Sequence, residues 1–144
     1  MSSGVDVFDT TLQKTISLLN DVGHEFGWPE ERRLQAYSAL RAVLHALRDR
    51  LPVAEAANFA AQLTMLVRGF YYEGWKPESV PKKMHREEFL DRLQKQFQYS
   101  VEGGPKRLVN GVLRALGRHI EPRTLEAIKD ELPEDIAELL HPAA

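Results

Sequence analysis

The chain has 144 residues, 43% of them hydrophobic and 28% charged, the make-up of a globular domain able to bury roughly 70% of the surface its unfolded form exposes. It contains no cysteine, which excludes thiol nucleophiles, disulfides, thiolate zinc sites and iron–sulfur clusters. Its 19 Lys and Arg against 21 Asp and Glu give a net charge of −2, without the positive excess that drives phosphate binding, and no run approaches the roughly 18 apolar residues that span a bilayer.

Apolar residues recur at helical spacing nearly throughout, and no stretch shows the alternation of a half-buried strand. A first helix over 7–25 follows Phe8, Leu12, Ile16 and Leu19, with Asp6 as its N-cap and Gly23 and Gly27 near its end. Pro29 opens a second helix, Glu30 and Glu31 suit its positive end, Arg48 and Arg50 suit its negative end, and Pro52 stops it. Tyr37, Leu40, Leu44, Leu47 and Leu51 form one stripe of that helix. Five further small apolar residues widen it until only Ser38, Arg41, His45 and Arg48 stay polar, which predicts a helix wrapped by neighbours.

Two short helices follow, over 53–62 with Ala56, Ala57, Ala60 and Leu63 inward, and over 64–73 with Met65, Leu66 and Phe70 inward. Gly74 ends the second, and residues 75–84, with two prolines and three lysines, form a connection. A fifth helix over 86–98 carries Phe89, Leu90, Leu93 and Phe97. Gly103-Gly104-Pro105 opens a sixth over 106–119, and Pro122 and Pro133 begin two more. The expected architecture is an all-α, single-domain helical bundle over 1–144, built from two similar four-helix halves (about 6–75 and 85–141) and packed around its second and sixth helices. Val43, Leu44, Ala46, Leu47, Leu51 and Leu63 pair with Val112, Leu113, Ala115, Leu116, Ile120 and Leu132 at one offset of 69 residues. Such pairing points to an internal repeat, although amphipathic helices of similar composition generate some of these matches by themselves.

The runs Leu40-Arg-Ala-Val-Leu-His-Ala-Leu-Arg-Asp-Arg-Leu-Pro52 and Met65-Leu-Val-Arg-Gly-Phe-Tyr-Tyr-Glu-Gly-Trp75 resemble those of the bacterial domain-of-unknown-function family numbered 2267. Gly27-Trp28 and the segment around Phe89 fit the same resemblance, which covers nearly the whole chain. Thr64 stands where the family pattern leads one to expect proline. The resemblance implies a bacterial, helical, stand-alone domain and assigns no catalytic residue.

Motifs for chemistry are sparse. Glu138-Leu-Leu-His141 and Asp21-Val-Gly-His24 have the spacing of a di-iron half-site, but chance alone supplies such matches among five histidines, so no metal and no cofactor is expected. His85-Arg-Glu-Glu88 reads as a helix start. No nucleophile elbow, phosphate loop or zinc-protease motif occurs, and no catalytic residue is assigned.

Two sets of residues stand out as binding candidates. Arg41, His45 and Arg48 fall at i, i+4 and i+7 on one side of the second helix; they either pair with acids of a neighbouring helix or form an anion site. Phe70-Tyr-Tyr-Glu-Gly-Trp75 concentrates aromatics beside the lysine-bearing connection, with Arg68 one turn before Tyr72. Tyr71, Tyr72 and Trp75 either cap the end of the bundle or anchor a partner. The functional expectation is a cytoplasmic protein-interaction or regulatory module without catalysis, with a protein partner or self-association and neither nucleic acid nor membrane. The alternative is a small-anion or small-ligand binding protein, or an enzyme, using the Arg41/His45/Arg48 strip.

Overall fold

In the computed structural model, which describes residues 2–140, the chain is all helical. Helix α1 spans Asp6–Phe26, α2 Arg33–Arg50, α3 Val53–Ala61, α4 Met65–Tyr72, α5 Arg86–Gln96, α6 Gly104–Leu116, α7 Pro122–Glu131 and α8 Glu134–Ala137, with 3-10 turns at Glu30–Arg32 and Pro77–Ser79. No strand occurs among the described residues. None of these helices is long and apolar enough to cross a membrane.

Several boundaries differ from expectation for local reasons. The N-cap of α1 is Val5, not Asp6. The chain before it is ordered by the Ser3 hydroxyl, which accepts the Val5 N–H at 3.1 Å, and by the Asp9 carboxylate, which accepts the Ser3 N–H at 2.8 Å. That bond holds the Asp9 carboxyl below the usual carboxylate range. At the far end Gly27 takes φ 70° and the Trp28 N–H reaches back to the Gly23 carbonyl at 2.8 Å, the left-handed cap that glycine permits. Pro29 starts a 3-10 turn, and α2 proper begins only at Arg33. Thr64 is the N-cap of α4 at φ −71°, a backbone conformation that proline would also take, so its departure from the family pattern is without structural cost. Helix α6 ends at Leu116, three residues early, because 117–119 close a tighter turn.

The buried core draws on all eight helices. Helix α2 lies against α1, α4, α5 and α6, as its wide apolar surface predicts, and Leu40, Leu44 and Leu47 are completely buried. Helix α6 packs along α1 and against α5. Gly111 allows the close approach of α6 to α1, since a Cβ there would stand 2.4 Å from the Phe26 ring. At the 69-residue offset, Val43/Val112, Leu44/Leu113, Ala46/Ala115, Leu47/Leu116 and Leu63/Leu132 are buried at both members, whereas Ile120 opposite Leu51 is only partly so. The start of α5 is tied to α8, because the Arg86 N–H donates to the Asp135 carboxylate at 2.9 Å. The Glu88 carboxylate accepts the His85 N–H at 3.3 Å, as a helix start requires.

Three inward assignments are corrected. Ala57 faces out and Phe59 takes the core position of α3. Met65 and Leu66 are exposed, and α4 buries Val67, Phe70 and Tyr71 instead. On α1 only the far end of the stripe that reveals the helix packs: Phe8 and Leu12 are exposed, and the core contacts come from Leu19 together with Leu18 and Val22.

Candidate functional site

The strip of α2 and the aromatic end of α4, two separate candidates in the sequence, meet in one joint. His45 and Arg48 are 6% and 3% exposed. Nε2 of His45 lies 2.7 Å from the Phe70 carbonyl. Arg48 donates from Nη1 to the carbonyls of Tyr71 (2.6 Å) and Glu73 (2.7 Å) and from Nε to the Asp49 carboxylate (2.9 Å). A helix leaves its last carbonyls without intrahelical partners and its C-terminus partly negative. The strip therefore supplies donors, one of them a buried cation, to carbonyls at the end of α4.

Asp49 completes the joint: its second oxygen takes a bond from Arg92 of α5, and its backbone carbonyl accepts the Lys82 N–H at 2.8 Å. Burial lowers the His45 pKa, against the raising effect of the Phe70 carbonyl, and Arg48 and Arg41 lower it further. The ring is thus neutral near pH 7 and its Nε2–H donates to Phe70.

Arg41 is the outermost member of the strip and pairs with Glu73 at 3.5 Å. A cleft of about 300 Å³ opens there, lined by the strip, Asp49, Glu73, Lys76, Lys82 and Arg92 among others. Tyr71 is completely buried, its hydroxyl donates to the Ala56 carbonyl at 2.8 Å, and burial raises its pKa. Tyr72 and Trp75 are half-buried, with rings 5.2 Å apart. Arg68 is exposed on α4. The aromatic cluster thus packs largely inward, with Tyr71 on Phe59 and on Tyr72.

A different feature was not singled out by the sequence: an open, mainly apolar groove of about 910 Å³ between α1 and α4, with Tyr37 and Phe70 in its lining. Its lips are Phe8 and Leu12 on one side and Met65 and Leu66 on the other, each 38–53% exposed. Thr11 joins the two helices by accepting the Leu66 N–H at 3.0 Å. Gly69 also lines the groove, and a Cβ built there would meet nothing within 4 Å. At the end of the groove near Leu19 stands Arg33, whose Nη2 donates to Asn20 at 3.3 Å and whose buried Nε has no hydrogen-bond partner among the described residues. The signal in the sequence was an excess: α1 carries more apolar positions than one core-facing stripe requires.

For metal ligation, Asp21 of the Asp21/His24 motif bonds His119 at 2.7 Å, and His141 of the other motif lies outside the described residues. No three His, Asp or Glu side chains converge among those described.

No curated protein matches the chain. A family model described as "Uncharacterized conserved protein (DUF2267)" matches residues 15–139, which include the joint and most of the groove. With most of its length matched, the chain belongs to the DUF2267 family of uncharacterized conserved proteins.

Proposed function

We propose that the protein is a helical protein-interaction module whose partner surface is the groove between α1 and α4. The observation that carries this reading is the exposure of Phe8, Leu12, Met65 and Leu66 around one continuous apolar depression. Contiguous exposed apolar surface of this kind costs solvation and is characteristic of interaction sites. Bare Gly69 adds to it, because glycine inside a helix costs roughly 0.5–1 kcal/mol relative to alanine and no contact within the chain requires it there.

The Arg41/His45/Arg48 strip supports an anion or ligand site less well, since donors of His45 and Arg48 are already spent on the carbonyls of α4. Tyr71 is likewise committed to the core, and Arg68, Tyr72 and Trp75 line neither the cleft nor the groove.

The test is photo-crosslinking in living cells, with a photoreactive residue at position 12 in the groove and, as control, at exposed position 87 on α5. Adducts from position 12 only, abolished by Gly69→Leu, are expected. No adduct at 12, or adducts that persist when Gly69→Leu fills the groove, would overturn the assignment.

A further inference from the structure

Resting on that reading of the groove, we infer that its occupant is a second copy of the same chain, with the two α1 helices packed antiparallel. The groove presents both halves of a self-complementary contact. One wall is a ridge of α1, with Phe8 and Leu12 exposed at its crest, Thr11 and Ile16 partly exposed, and Thr15 and Leu19 at its buried foot, at i, i+3/4, i+7/8 and i+11. Beside it is a gap with a glycine that a neighbouring helix can approach closely. An isologous two-fold contact needs both features on each copy, because the ridge of one subunit must enter the gap of the other.

Charge sets the direction. The first turn of α1 carries Asp6 and Asp9, while Arg33, bonded to Asn20 and with a buried Nε that has no partner among the described residues, lines the groove at its other end. Antiparallel pairing about the middle of the α1 ridge sets Phe8 of one copy near Leu19 of the other and brings Asp9 toward Arg33. Parallel pairing would stack the acidic turns on each other. Glu73 lines the same end as Arg33, but it is paired with Arg41.

The experiment is sedimentation equilibrium of the full chain from about 1 to about 200 µM, a range that covers dissociation constants of micromolar order. The mass is expected to rise from 16.4 kDa to twice that value. Gly69→Leu is expected to weaken association more than tenfold while helical content by circular dichroism is unchanged. Asp9→Arg and Arg33→Asp should each weaken it, and the double variant should restore it. A mass that stays at the monomer value throughout overturns the inference, as does a dimer indifferent to Gly69→Leu or a double variant that fails to restore. A monomer in the centrifuge that still gives a position-12 adduct with a different protein overturns self-association alone, whereas no adduct of any kind overturns the groove reading itself.

Discussion

Helices α2 and α6 each turn basic side chains toward the C-terminal end of another helix, yet the two joints differ in how far their cations are buried. On α2, His45 and Arg48 bond backbone carbonyls of α4 from a buried position. On α6 and the turn after it, Arg107 bonds the Glu25 carbonyl of α1 at 2.5 Å, Arg114 and Arg118 bond the Glu25 carboxylate at 3.3 and 2.9 Å, and His119 bonds Asp21. Arg118, with a side chain 51% exposed, reaches from solvent to the Glu25 carboxylate, 8% exposed, which also keeps Arg114 as a partner, so its own share is that of an exposed cation, about 0–1 kcal/mol. Arg48 works out of solvent, where losing a donor strands the groups it served. The same residue type at a helix end is therefore expected to hold the fold where it is buried and to add little where it is exposed.

The sharpest way to break this contrast is to remove each arginine in turn. Arg48→Met is expected to lower the unfolding free energy by about 3 kcal/mol or more, because it leaves carbonyls of α4 unpartnered and Asp49 with Arg92 alone. Arg118→Ala in the same urea titration is expected to cost less than about 1 kcal/mol. Equal losses would show that burial does not separate the two joints.

A smaller effect sharpens the contrast through pH. His45 has a lowered pKa in the folded chain, so on acidification the unfolded chain takes up the proton first, starting near its ordinary value of 6.5. Stability contributed by neutral His45 is thus complete above that value and is lost as pH falls toward the depressed folded value. The charged groups facing the ring are Arg48, Arg41 and Asp49. Urea midpoints measured from pH 7.5 to pH 5 are expected to fall for the wild type and to fall less for His45→Gln, which retains a donor for Phe70. An identical slope in both would assign the pH dependence elsewhere.

Much of the fold was legible because helical period and proline or glycine punctuation are local properties. Gly27, Pro52, Gly74 and Pro122 sit at or beside the ends they announce, and the nearly all-apolar surface of α2 identified the central helix. What was not legible is which of two apolar faces a helix buries. On α4, Met65-Leu66-Val67 offers three adjacent candidates, and only docking on α1, α2 and α3 decides that Val67 goes in. The candidate site failed to be legible for the same reason. Phe8 and Leu12 extend the core-facing periodicity of α1 past the point where there is core to meet. That the α2 strip and the α4 aromatics form one joint is a tertiary fact, set by bonds over 23–25 residues of chain.

The division between a buried joint that holds the fold and an open groove that serves association is tested most directly by urea unfolding of the Leu12→Ser/Leu66→Ser double variant in the monomer. The two residues are 38% and 42% exposed, so the unfolding free energy is expected to change by less than about 1 kcal/mol, as for surface substitutions. A loss of several kcal/mol, the size that belongs to core residues, would mean that the groove lips are internal packing, and it would contradict their role as a surface kept for another chain.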